Sequence, residues 1–195
     1  MTKTKKKSGN GVSLGTLLAL VILCVVIAIA SPNFLTYSNI TSVFKQCTFN
    51  AFVSVGMLLC LITAGIELSV GANAIFCSCL MGMMVQMGMQ NGVLMVIVAI
   101  IAGTLVGFVN GVLLTRLHLP HPFVSTLGMK NVLWGAALLV TSSQMVSGFP
   151  KAATWFGHSD IKGFPVAFIF VIVLYVVMQI FLSKTTLGRS IYCVG

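Results

Sequence analysis

From Leu68 through Thr115 the chain runs for 48 residues without an Asp, Glu, Lys or Arg. A soluble domain does not fold that way, because its water-facing side needs charge at frequent intervals. A helix crosses roughly 30 Å of hydrocarbon in about 20 residues, so this stretch alone has the length of two crossings. The pattern holds through all 195 residues, of which 58% are apolar and 7% charged, against roughly 25% charged in an ordinary soluble domain. The sequence therefore predicts an all-α, polytopic membrane helical bundle with five or six spans, and it excludes a conventional soluble enzyme.

The expected crossings are 14–30, 43–64, 70–89, 93–115, 123–141 and 165–182. Residues 1–12 form a basic leader, 13–182 the transmembrane region and 183–195 a cytoplasmic segment. The first apolar run ends in Ala-Ile-Ala-Ser, like a cleavage site, but its length exceeds a signal core and it reads as an uncleaved helix. Ser31-Pro32-Asn33 stops it, and Pro120 and Pro122 bracket a rigid turn after Arg116. The fifth crossing is the weakest, a short or interrupted helix, because Gly128, Lys130 and Asn131 fall inside it. With the leader inside, Lys3, Lys5, Lys6, Lys7, Arg116, Lys184 and Arg189 lie on the cytoplasmic side and Lys45, Lys151 and Lys162 outside. That bias follows the positive-inside rule.

The net charge of +9 does not point to nucleic acid, since four lysines sit in the leader and the remaining positive residues are scattered singly. Cys24, Cys47, Cys60, Cys77, Cys79 and Cys193 lack metal-finger spacing and read as free thiols. Met81 to Met89 holds five of the eleven methionines, pointing in several helical directions, so they fill packing rather than bind a soft metal. His118 and His121 have no carboxylate placed to orient either ring as a base, and His158, two residues from Asp160, is similarly weak in a solvent-facing loop. Ser183-Lys184-Thr185-Thr186 lacks the glycines of a phosphate loop, so no cofactor is expected on this chain and any ATP belongs to a separate subunit.

Three sets of residues stand out. Gly103, Gly107 and Gly111 recur every four residues and present one face of a helix, suited to close helix packing or to lining a transport path. Asn110 lies beside that face and can hydrogen-bond across it. Glu67, between Gly65 and Gly71, sits at a break between apolar runs; it is either in an exposed or structurally capped loop or part of a gate or substrate path. Asn73, near the start of the third span, either contributes to a polar path or bonds to a neighbouring helix.

GMLLCLITAGIELSVGA at 56–72, GFVNGVLLTRLHLPHPFVSTLGM at 107–129 and TTLGRSIYCVG at 185–195 resemble the membrane permeases of bacterial ABC importers for ribose, xylose, galactose and related monosaccharides. Glu67 stands where that family usually has Asp, Met129 where Thr is common, and Cys193 where a small residue is frequent. Such permeases are usually longer, with further spans after a coupling segment, so the chain reads as the truncated N-terminal part of one. The resemblance implies a second permease subunit, a separate ATP-binding cassette subunit, an extracytoplasmic sugar-binding protein and alternating access in the bacterial inner membrane. It also puts Arg189 on the coupling side. Other readings are a non-transporting fragment or membrane scaffold, or a secondary transporter.

Overall fold

A computed structural model describes residues 10–116, 122–161 and 164–194. Most of the basic leader, Pro120, His118, His121 and Lys162 lie outside the described residues. The chain forms two compact units, Met1–Phe44 and Lys45–Gly195. The first contains helix α1 (Asn10–Ala30) and the start of α2 (Tyr37–Ile62). Thr36 caps α2 by accepting the Asn39 N–H at 3.4 Å, while its own hydroxyl donates to Asn33 O at 2.7 Å. This cap starts α2 six residues earlier than the apolar run suggests.

In the second unit, α2 is followed by α3 (Val70–Gln86), α4 (Gly92–Arg116), α5 (Pro122–Val140), α6 (Lys151–His158), α7 (Val166–Lys184) and α8 (Thr186–Val194). Two strands of two residues, β1 (Asp160–Ile161) and β2 (Phe164–Pro165), pair antiparallel with Asp160 opposite Pro165. Helices α2, α4, α5 and α7 are long and apolar enough to cross a membrane, and Leu14–Ala30 and Val70–Gln86 are shorter apolar helices. The fifth crossing is one continuous helix, with Pro122 in its first turn, where a missing N–H costs nothing.

Backbone geometry ends the helices where glycine or a small residue permits it. At the end of α2, Gly65 N–H reaches Cys60 O at 2.8 Å and Ala64 N–H reaches Leu61 O at 3.1 Å. That paired closure requires a left-handed residue, and Ala64 takes it with φ 56°. Gly88, with φ 81°, closes α3 in the same way and ends it short of the expected Met89.

Helix α3 packs against α4 and α5. Polar side chains share the interior with apolar ones: Thr48, Ser69, Asn110, Ser125, Thr126 and Thr141 are buried along with Met95, Leu133 and Val171, while Ile100, Leu105, Leu139 and Ile172 are exposed. In hydrocarbon a polar group gains most by turning toward protein, whereas Leu and Ile lose nothing by facing lipid.

Two further glycines fix close approaches. A Cβ on Gly92 would lie 2.5 Å from Ala153 N, so α6 rests directly on the start of α4. Phe156 of α6 meets Phe170 in the second turn of α7 with ring centroids 5.2 Å apart. The starts of α4 and α7 therefore share one end, with Lys45 paired to Asp160 at 3.4 Å. Their last residues, Arg116 and Lys184, lie toward the other. There α8 folds back on α7: a Cβ on Gly188 would meet Phe181 O and lie 2.6 Å from Leu182 O.

Candidate functional site

The break between α2 and α3 is exposed at Ile66 and Leu68 and becomes buried at Ser69. Thr126 of α5 is fully buried, and its single hydroxyl proton is shared between Ile66 O at 3.0 Å, in the break, and Pro122 O at 3.1 Å, on its own helix. Ser69 is the N-cap of α3, and Glu67 lies two residues before it. The positive end of the helix dipole thus faces the carboxylate.

Glu67 Oε1 accepts the Ser69 N–H at 2.8 Å and the Ser69 hydroxyl at 2.5 Å. The Asn110 side-chain amide then donates to Ser69 Oγ at 2.9 Å and to Glu67 Oε2 at 3.3 Å. A carboxylate cannot donate, so these contacts fix which end of the Asn110 amide faces Glu67. Asn110 is 3% exposed, and its Oδ1 is buried without a hydrogen-bond partner among the described residues. Glu67 has no ion-pair partner among them either. Asn110 precedes Arg116 by six residues, about 9 Å along α4 at about 1.5 Å per residue. The carboxylate therefore sits within the apolar length of the helix rather than at its charged end.

Glu67, Ser69, Asn73 and Asn110 line a cavity of about 230 Å³, with Gly56, Cys60 and Gly107 completing much of its wall. Asn73 donates to Gly103 O at 3.2 Å, so it joins α3 to α4 as well as facing the cavity. The three glycines of α4 have different surroundings. A Cβ on Gly103 would be 3.4 Å from Cys77 Sγ, whereas one on Gly107 or Gly111 would meet nothing within 4 Å. Gly107 is a cavity wall, and Gly111 faces open space.

Arg189 is exposed on α8, the helix that folds back on the end of α7. Thr185 caps this helix by accepting the Gly188 N–H at 3.0 Å. Ser69 and Thr126 are site residues that local sequence reading missed. Ser69 had a signal, a hydroxyl at the first position before an apolar run. Thr126 had none, because its partner Ile66 lies 60 residues away.

The family model described as "Branched-chain amino acid transport system / permease component" matches residues 39–195. The chain is 33% identical to the ribose import permease protein RbsC of Bacillus subtilis, over 100% of this chain and 61% of that protein. It is 33% identical to the D-allose transport system permease protein AlsC of Escherichia coli, over 93% and 56%. With the autoinducer 2 import system permease protein LsrC of Salmonella typhi it shares 30% identity, over 92% and 51%. The chain thus spans little more than half the length of these relatives. No solved structure matches it. These relatives are named as permease proteins of import or transport systems, in line with the sequence reading of a permease. An all-α bundle of apolar helices, a polar break tied into its interior and a family match over most of its length agree: the chain is a multi-pass membrane protein and belongs to this family of transport-system permease components.

Proposed function

We propose that the chain is the transmembrane permease component of an ATP-driven monosaccharide importer, in which sugar passes by alternating access. The observation that carries this reading is the cavity at the α2–α3 break, where Glu67, Ser69, Asn73 and Asn110 offer hydrogen-bonding groups within the apolar length of the bundle. An ionisable side chain within the membrane bundle is a mark of substrate and ion pathways, which supports a path at Glu67. Ribose and allose appear in the names of its relatives, which supports a monosaccharide. Glu67, Asn73 and Asn110 line or gate the path, and Gly107 leaves room beside them.

ATP binds and is hydrolysed on a separate cassette subunit, since no phosphate loop occurs in the chain. The exposed Arg189 on α8 faces that subunit; a second permease subunit and an extracytoplasmic sugar-binding protein complete the importer. Arg116, Lys184 and Arg189 lie on the cytoplasmic side of the inner membrane, as does the N-terminus, by the positive-inside rule. Nucleotide shifts the population between inward- and outward-facing states.

Uptake of labelled D-ribose, D-allose, D-xylose and D-galactose into proteoliposomes, with the cognate cassette subunit and binding protein, tests the reading. ATP-dependent accumulation of one of them is expected, and it is lost in Glu67→Gln and Asn110→Ala. An assembled complex that hydrolyses ATP and accumulates none of the four overturns it in favour of a scaffold; accumulation driven by an ion gradient without ATP makes the chain a secondary transporter.

A further inference from the structure

A second, larger cavity of about 420 Å³ lies along the same two helices, lined among others by Phe49, Ser78, Cys79, Thr141, Gln144 and Phe149. Its relation to the cavity at the break follows from helix geometry. Phe49, Gly56 and Cys60 are spaced by seven and four residues, which puts them on one face of α2. Phe49 lines the larger cavity, while Gly56 and Cys60 line the smaller. Seven residues correspond to about 10 Å along the helix. On α3 the walls share a face, because Val70 belongs to the smaller cavity and Ala74, four residues on, to the larger. The two cavities therefore follow one another along the α2–α3 groove, the larger toward the end where α6 lies.

The larger cavity is an open groove with Phe49, Ile75, Ser78 and Gln144 exposed, and a few polar groups are set into its mostly apolar wall. Ser78 Oγ donates to Ala74 O at 2.9 Å and Thr141 Oγ1 to Ala137 O at 3.0 Å, so each hydroxyl has spent its proton and presents lone pairs. Gln144 brings both an amide donor and an acceptor. Phe49 and Phe149 supply apolar aromatic surface. None of the lining residues is charged, which favours a neutral solute over an ion or a zwitterion. Hydroxyl-rich donors with apolar C–H faces match this wall, and a monosaccharide is smaller than the drug-sized ligands that occupy about 300–1,000 Å³.

We propose that this cavity is an outer station for the transported monosaccharide, with Ser78, Thr141 and Gln144 as its polar contacts, through which the sugar reaches the Glu67 cavity. The proposal rests on the monosaccharide reading above. Cys79 in the cavity wall is a native reporter. In the assembled importer in proteoliposomes, the membrane-impermeant thiosulfonate MTSES modifies Cys79 from the α6 side, read by peptide mass spectrometry. The sugar that the importer accumulates slows this modification several-fold, and Ser78→Leu, which fills the cavity, abolishes uptake while insertion and assembly persist. Cys79 that resists MTSES but reacts with membrane-permeant N-ethylmaleimide means that lipid fills the cavity and overturns the proposal. Labelling indifferent to sugar, in an importer that still accumulates it, also removes the outer station and leaves the monosaccharide reading intact. A complex that accumulates no monosaccharide removes both.

Discussion

Asn110 reaches across 43 residues of sequence to donate to Glu67 Oε2 at 3.3 Å, and its second amide proton goes to Ser69 Oγ at 2.9 Å. Between them these bonds join α4, six residues before its last residue Arg116, to the break before α3. Asn110→Leu removes both donors and leaves the half-buried carboxylate with Ser69 alone. Loss of about 1–3 kcal/mol of stability is expected, measured as the SDS fraction that unfolds the protein in mixed micelles. Asn110→Asp places a second carboxylate beside the first and costs more than Asn110→Leu; equal stability of the two variants would falsify the hydrogen-bond assignment.

Gly188 separates two physical effects of opposite sign. Helix propensity alone makes Gly→Ala within a helix stabilising by about 1 kcal/mol. Here the added Cβ would fall 2.6 Å from both Leu182 Cα and Leu182 O, which backbone cannot accommodate without moving α8 off α7. Gly188→Ala is therefore expected to destabilise the α7–α8 corner, seen as faster proteolysis after Lys184 or Arg189 in the detergent-solubilised protein. Slower cleavage than in the parent would mean that propensity wins.

Much of this architecture was legible because hydrocarbon imposes a simple length and polarity rule. The crossings at 93–115 and 165–182 differ from α4 and α7 by one or two residues at each end, and the break at Glu67 was marked by flanking glycines. The eight-residue α6 was missed, since two turns are too short to show an apolar period, and its docking rests on the absence of a Cβ at Gly92. In the site, sequence singled out Glu67, Asn73 and Asn110 as polar residues in apolar surroundings. It could not say that Glu67 and Asn110 bond to each other while Asn73 bonds to Gly103, because those pairings depend on helix rotation about axes that no local pattern fixes. The evenly spaced glycines had the same limit: spacing puts them on one face, but only packing distinguishes Gly103 from Gly111.

Thr126 offers an isosteric test of what holds the break in place. Thr126→Val keeps the shape of a fully buried side chain but removes the hydroxyl that lies 3.0 Å from Ile66 O. A hydroxyl bond between membrane helices contributes about 0.5–2 kcal/mol, so the loss in SDS unfolding is modest. The local effect is larger: hydrogen exchange of the amides across 63–69 accelerates in Thr126→Val and stays near parent rates in Thr126→Ser. Unchanged exchange in the valine variant would show that the break is held by other contacts.

The glycine row of α4 gives a paired comparison in which helix, residue type and substitution are the same. At Gly103 the first atom of a new side chain already sits 3.4 Å from Cys77 Sγ and 3.7 Å from Asn73 Nδ2, so the rest of a leucine must push α3 outward and break the Asn73 bond to Gly103 O. Overpacking of this kind costs about 1–3 kcal/mol. At Gly111 nothing lies within 4 Å of the new Cβ, and a leucine there extends into the space that lipid occupies, with a change within about 0.5 kcal/mol. SDS unfolding of Gly103→Leu and Gly111→Leu should therefore separate clearly, with only the first losing stability. Similar losses at both positions would mean that another helix covers Gly111 in the membrane, which makes the end of α4 near Arg116 a contact surface rather than a lipid-facing one.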